Sequence, residues 1–408
     1  MALLAEKPSL MEFVHAGAEP PLSGFLARCH AEIASDNSGA LADYIPELTK
    51  ANPGHFGISL ATIDGYVYEV GDSAVPFTIQ SVSKALVFAL ALDTVGPDIV
   101  ESAIGVEPSG EAFNSIRLRA DSRPFNPMVN AGAIACSGLI CNVKSRDASD
   151  FILETMGRFA GRTLDVDESV FASERATGDR NRAIAYLLRN HGVISGNVDD
   201  VLEAYFRQCS ALVTARDVAI MAATFANRGV NPINGEQVVS PYAVAHTLSV
   251  MTSSGMYDYA GEWIYRVGIP AKSGVGGGIM ATLPAQLGLG TYSPLLDSHG
   301  NSVRGLKMCE ALSSRFGLHV LNYGGDVRTA ISAEYDIGAT ASRRSRQVHE
   351  QQILDTHQEY GCVFELTGAL NFGNVEYLSR RIVHARPRAQ FVILDFGRVT
   401  AISGAATQ

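Results

Sequence analysis

Two short motifs in this 408-residue chain bring together a nucleophile and a base. In Ser81-Val82-Ser83-Lys84 the serine and lysine stand at i and i+3, so at the start of a helix their side chains share a face. The following residues, Ala85 to Leu92, are apolar nearly all round, which predicts a buried helix from about Ser81 to Asp93. Desolvation lowers the pKa of a lysine buried against such a helix, and the neutral amine can then take the proton of a serine. The Ser81 amide, at a helix N-terminus, points a donor toward incoming negative charge. The second motif is Lys272-Ser273-Gly274, followed by Val275-Gly276-Gly277-Gly278. Its glycines let the backbone approach a ligand closely, so the Val275 amide can join that of Ser81 as an oxyanion hole. The chain has six lysines; one lies in its only S-x-x-K and another in its only K-[ST]-G, in that order. This is the chemistry of acyl transfer through a serine ester, and it calls for no metal and no cofactor.

Composition narrows the class further. A formal charge of −10 disfavours non-specific nucleic-acid binding, which needs a basic surface. The one basic cluster, Ser342-Arg343-Arg344-Ser345-Arg346, reads as a solvated linker. The start of the chain carries Glu6, Lys7 and Glu12 and lacks a secretory apolar core. The longest apolar run, Ala85 to Leu92, is far shorter than the ~18 residues that cross a bilayer. The six cysteines are scattered, with no C-x-x-C and no Cys/His cluster, so they read as reduced, mostly buried thiols without a metal site. Together these features predict a cytoplasmic protein that binds neither nucleic acid nor membrane. Two further motifs are coincidences. Ser35-Asp36-Asn37 precedes Ser81, whereas the S-D-N element of class A β-lactamases follows the nucleophile, and Gly274 to Gly278 lacks the G-x-x-x-x-G-K-[ST] of a nucleotide loop.

The elements that must position the motifs can be read in outline. Residues 56–72 predict a hairpin turning at Asp64-Gly65. The small, apolar stretch 130–142 predicts another buried helix, and 147–160 and 199–227 carry helical spacing with charged outer faces. Glu262-Trp263-Ile264-Tyr265-Arg266-Val267 and Ile279 to Pro284 read as strands flanking the Gly-rich turn. A core helix with strands late in the chain implies an α/β (α+β) fold with a mixed or antiparallel sheet and a helical subdomain, not an alternating βαβ series.

Phe77 to Lys84, Asn126-Pro127-Met128-Val129-Asn130-Ala131-Gly132-Ala133-Ile134, and Glu174-Arg175-Ala176-Thr177-Gly178-Asp179-Arg180-Asn181 form three blocks of a larger pattern. Tyr205 to Ser210, Ser254 to Glu262, and Pro270 to Ile279 complete it. In this order, across roughly residues 40–310, the six blocks resemble the serine-dependent glutaminases, which have a β-lactamase-like fold. The resemblance implies hydrolysis of L-glutamine to L-glutamate and ammonia, with Ser81 as nucleophile and Lys84 as base. It implies an oxyanion hole at the Ser81 and Val275 amides, and a role for Tyr257 in relaying a proton to ammonia and activating the deacylating water. By the same resemblance Tyr44, Asn130, Glu174, Asn181 and Tyr205 hold the α-amino and α-carboxylate groups of the substrate, Gln80 orients the site and Lys272 supports it. It also implies a homodimer or homotetramer. A penicillin-recognising acyl-serine hydrolase is a rival reading, set against by the missing export signal. A regulatory binding protein on an inactive scaffold is another, set against by the joint presence of Ser81, Lys84, Tyr257 and Lys272.

Around 335–350 the composition turns polar and Arg-rich, which sets the first domain at 1–335, a linker at 336–347 and a second domain at 348–408. In the tail, Gly361 to Leu366 and Phe391 to Phe396 read as strands around a helical Asn374 to Val383. Phe364 to Asn374 with Val392 to Phe396 resembles the first half of a STAS domain. Ser403-Gly404-Ala405-Ala406, where that resemblance places a phosphorylatable serine, lacks the usual acidic residue.

Overall fold

A computed structural model describes residues 21–110, 115–144, 147–321, 330–339, 346–370 and 390–402, with six helical positions between Asn374 and Ile382. The chain forms two compact units, Met1–Asn322 and Tyr323–Gln408.

In the first unit, α1 (Pro21–Ile33) leads to β1 (Gly57–Thr62), β2 (Val67–Gly71) and the short β3 (Phe77–Thr78). A largely helical run follows: α2 (Ser83–Val95), α3 (Pro97–Ala103), α4 (Asn130–Lys144), α5 (Ala148–Ala160), α6 (Glu168–Thr177), α7 (Asp179–Asn190) and α8 (Val198–Cys209). The chain continues through β4 (Leu212–Val213), α9 (Ala215–Ala226), α10 (Pro241–Ser254) and α11 (Ala260–Arg266). It closes the unit with β5 (Ala271–Ser273), β6 (Gly278–Leu283), β7 (Leu287–Tyr292) and α12 (Val303–Phe316).

The main sheet has the order β2-β1-β7-β6-β5, and every neighbouring pair is antiparallel. The first hairpin turns where Asp64-Gly65 predicts it, with Ala61 opposite Val67 and Gly65 at φ +90°. One sheet face packs on α9. The other buries Ile58, Ile279, Ala281 and Leu289 against Leu26 of α1, Trp263 of α11, and Met308 and Leu312 of α12. The helical half has its own core around α2, whose residues Ser83 to Leu92 are all buried against α4, α5 and α10. Its leucines and Phe88 each contribute roughly 1.5–3 kcal/mol by leaving water, so the apolar run that predicted a core helix also secures it in place.

Two local expectations are corrected. Glu262 to Val267, expected as a strand, lies largely in α11. Ala260, Trp263 and Val267 fall at helical spacing and are buried, Trp263 Nε1 donates to Ile269 O at 2.6 Å, and Glu262 pairs with Arg266 one turn on. The strand that actually precedes the Gly-rich turn is β5, which carries Lys272 and Ser273. The helical stretch 199–227 is two helices, α8 and α9, separated by β4, which pairs with β3. A capping box between Thr214 and Asp217 starts the second of them.

The second unit is a three-stranded sheet of order β10-β9-β8, formed by β8 (Ile331–Asp336), β9 (Gly361–Leu370) and β10 (Phe391–Ile402), with α13 (Val348–Thr356) between the first two. Strand β8 pairs antiparallel with β9, so the division falls before Tyr323 rather than at 335, and Asp336 to Ala339 continue ordered backbone where a linker was expected. Strands β9 and β10 are parallel, and the described positions between Asn374 and Ile382 are helical. Ser403 lies outside the described residues, as does most of the basic cluster.

Candidate active site

The nucleophile motif sits on a break in regular structure. Gln80–Val82 form a single 3₁₀ turn, and α2 begins at Ser83. Gln80 adopts φ +49°, a conformation that costs a non-glycine residue about 1–3 kcal/mol, and it places Ser81 at the mouth of a cleft. Ser83 Oγ fastens the turn from within by donating to Gln80 O at 2.7 Å. The end of β5 closes on the same turn. A Cβ on Gly274 would lie 3.3 Å from Ser81 N and 2.9 Å from Ile79 O, so the two backbones approach more closely than a side chain comfortably permits. Gly277, at φ +97°, completes the return into β6, and a Cβ there would meet Ser293 O at 2.5 Å. Val275, between them, is buried against Ala42 and Leu296.

Lys84 is 1% exposed, and its Nζ donates to Asn130 Oδ1 at 2.6 Å. Burial brings its pKa from 10.5 down to about 8, opposed by the negative potential of Cys209 and Glu174. Asn130, the first residue of α4, in turn donates from Nδ2 to Asn181 Oδ1 of α7 at 3.0 Å. This chain ties the predicted base to a predicted substrate-binding residue in sequence segments far apart. Across the cleft, Glu174 of α6 is buried and accepts from Gln80 Nε2 at 2.9 Å. Desolvation raises its pKa to about 8, against the lowering by that hydrogen bond and by Lys84. Tyr205 of α8 is buried beside Glu174 and Cys209, and desolvation holds its phenol well above the usual range.

Tyr257 occupies the turn after α10 at φ +58°. Its hydroxyl donates to Ser273 O at 3.0 Å and is also hydrogen-bonded to the Ser81 side chain; burial raises its pKa. Behind the ring lies the second buried lysine. Lys272 Nζ stands 4.2 Å over the Tyr257 ring and donates to Gly255 O at 2.9 Å and Ser273 O at 2.7 Å. Burial, and secondarily the charge of Lys84, push its pKa down.

The fold thus brings Tyr44, Gln80, Ser81, Asn130, Glu174, Asn181 and Tyr205 onto one cleft with a volume of ≈ 60 Å³. Tyr257 and Val275 do not line that cleft. They border an adjoining outer cavity, which shares Tyr44 with it, while Lys84 and Lys272 lie behind the walls. Reasoning from the sequence did not single out Cys209, which lines the cleft one helical turn beyond Tyr205, or the carbonyls of Gly255 and Ser273 that hold Lys272. The i, i+4 spacing to Tyr205 could have found the cysteine; nothing in a sequence marks a carbonyl. Among the described residues, no group of three or more His, Cys, Asp or Glu could hold a metal ion, and no helix is long and apolar enough to cross a membrane.

An antiparallel sheet packed on helices, with a serine and a buried lysine where a 3₁₀ turn enters the core helix, defines a mixed α/β protein. More particularly, the chain belongs to the glutaminase family, whose profile matches residues 39–321. It is 67% identical over 389 residues to Glutaminase 2 of Bradyrhizobium diazoefficiens, an alignment that covers 95% of this chain and 62% of that protein. Glutaminase 1 of the same organism is 63% identical over 391 residues, with 96% and 64% covered, so the chain spans less than two thirds of the length of these two relatives. Glutaminase of Corynebacterium glutamicum is 40% identical over 382 residues, covering 93% of this chain and 87% of that one. The solved structure of Mglu in its native form superposes with a TM-score of 0.82 at 37% identity, covering 95% of this chain and 94% of that one.

Proposed function

We propose that this protein hydrolyses L-glutamine to L-glutamate and ammonia through a γ-glutamyl ester on Ser81. The observation that carries the reading is the polarity of the cleft: a buried acid, Glu174, stands opposite a serine backed by a lysine whose pKa lies near 8. Glu174 accepts the substrate ammonium, with Tyr205 beside it, and the neutral amides of Asn130 and Asn181 together with Tyr44 take the carboxylate. This fixes the side-chain amide at Ser81. Neutral Lys84 removes the serine proton as Oγ attacks the amide carbon, and the oxyanion is held by the Ser81 and Val275 amides. Tyr257, already bonded to Ser81, delivers the proton to the leaving nitrogen, and ammonia departs. Water then attacks the ester by the same relay in reverse. Gln80 orients Glu174, and Lys272 holds the Tyr257 ring and the Ser273 carbonyl in register.

In this reading the fold of the first unit is of the β-lactamase-like kind, the enzyme acts in the cytoplasm as a homodimer or homotetramer, and the second unit is a partial STAS-like module. Its parallel β9 and β10, joined through helical positions, support the last assignment. The function is tested by ammonia release from glutamine, beside asparagine and a chromogenic β-lactam, with Ser81→Ala as control. Release from glutamine alone, lost in the variant, is expected; turnover that survives in Ser81→Ala overturns the mechanism.

A further inference from the structure

A buried guanidinium lies behind the segment that carries Tyr44. Arg304, in the first turn of α12, is 1% exposed, and the groups that accept from it are carbonyl, amide and hydroxyl oxygens rather than carboxylates. Its Nε donates to Asp36 O at 2.7 Å and its Nη2 to Asn37 Oδ1 at 2.7 Å. Nη1 donates to Pro53 O at 2.9 Å, and to His55 O and Ser293 Oγ, both at 3.3 Å. Asp36 and Asn37 begin one surface segment, and Pro53 and His55 end it, so a single planar group holds both ends. Ser293 follows β7 and ties that group to the sheet. Ser35-Asp36-Asn37, a coincidence as a catalytic motif, thus supplies half of a clasp, and the Asp36 carboxylate pairs with Lys307 one turn along α12. Between its ends the segment runs over the reaction centre. Ala42 is buried against Val275 and Leu296, Tyr44 and Ile45 line the cleft, and a 3₁₀ turn over Pro46–Lys50 packs on α6, which carries Glu174.

We propose that Arg304 is a positioning residue for Tyr44: by clasping both ends of the segment 38–52 it sets where the phenol meets the substrate carboxylate, and with it the affinity for glutamine. The inference rests on the glutaminase reading above, in which Tyr44 takes that carboxylate. The geometry requires arginine. A guanidinium sends five N–H donors outward in one plane, and here they reach two stretches of chain and the sheet at once. An ammonium is a point charge on a flexible stem that satisfies one cluster of acceptors. Lysine would therefore leave one end of the segment unheld and buried carbonyls without a donor. Tyr44 lies near the middle of the segment, where slack from a released end is felt. Glu174, Lys84 and Ser81 are carried by α6, by α2 and by the turn before it, elements that the clasp does not include. The effect falls on binding and leaves the acylation machinery in place.

The test is the steady-state kinetics of glutamine hydrolysis by the full chain, with melting curves alongside. Arg304→Lys should raise KM by roughly tenfold or more and leave kcat within about threefold. Tyr44→Phe should raise KM as well. Adding Arg304→Lys to Tyr44→Phe should raise it by less than about twofold further, because the position of a hydroxyl that is absent no longer matters. Asn37→Ala removes one arm of the clasp at an exposed position and should raise KM about two- to tenfold, again with kcat little changed. A purely structural role lowers the melting temperature without moving KM, and that result in a folded Arg304→Lys overturns the inference. A KM increase that adds in full to that of Tyr44→Phe also overturns it, since Arg304 would then act elsewhere than through the phenol. If Arg304→Lys does not fold, an unchanged KM in Asn37→Ala overturns the inference in its place. Each of these results leaves the glutaminase reading standing, because the wild-type chain still hydrolyses glutamine. A wild-type chain inert toward glutamine overturns both.

Discussion

Replacing Glu174 by glutamine tests the electrostatics of the cleft at its most exposed assumption. The carboxyl group is buried, takes a hydrogen bond from Gln80 Nε2 at 2.9 Å, and has its pKa raised by desolvation to about 8. An amide in its place keeps an acceptor for Gln80 and loses the charge that meets an ammonium. A hydrogen bond to a charged group is worth about 1.5–3 kcal/mol, so kcat/KM for glutamine should fall roughly ten- to hundredfold, mainly through KM. The pH dependence supplies an independent sign. The productive free enzyme has Lys84 neutral and Glu174 ionised, and both groups titrate at about 8. Below that pH two protons must leave, so wild-type kcat/KM should climb about a hundredfold per pH unit on the acid limb. In Glu174→Gln only Lys84 titrates, and the climb should drop to about tenfold per unit. The carboxylate also raises the Lys84 pKa, so the remaining limb should move toward lower pH. Initial rates of ammonia release from about pH 6 to about pH 10 read all three effects. An unchanged KM together with a surviving two-proton limb would refute Glu174 as the ammonium acceptor.

Three further substitutions probe the remaining parts. Lys84→Ala should reduce kcat nearly as far as Ser81→Ala, and the double variant should lose little more, since the pair acts as one unit; single-turnover acylation that stays within a few-fold of wild type in Lys84→Ala would remove lysine as the base. Tyr257→Phe keeps the ring under Lys272 and removes the hydroxyl bonded to Ser81 and Ser273 O, so kcat should fall roughly hundred- to ten-thousandfold with little change in KM. A defect confined to KM would assign the phenol to binding. Gly277→Ala places a Cβ 2.5 Å from Ser293 O at a φ of +97°, so the protein should lose about 1–3 kcal/mol of stability and melt earlier. A wild-type melting curve would show that the turn relaxes freely.

Ser-x-x-Lys and Lys-Ser-Gly were legible as chemistry because their meaning lies in spacing along the chain, and the apolar run from Ala85 to Leu92 was legible as a buried helix because nothing else can cover a segment apolar on every side. The hairpin over 56–72 was equally plain, since Asp64-Gly65 dictates its own turn. Glu262 to Val267 was misread because a short segment of mixed polarity fits either period, and only the pocket that takes Trp263 chose the helix. Strand β8 could not be assigned to its sheet from its own residues, because pairing is a property of two segments and β9 lies some 30 residues on. The same limit applies within the site. The lysine at position 84 is written in the sequence; that it loses affinity for its proton, and that Asn130 Oδ1 holds it at 2.6 Å, follows from packing that joins α2 to α4 and α7. The identity of the reactive groups is local information, whereas their pKa values and aim are set by burial and by partners distant in the chain, which only the tertiary fold supplies.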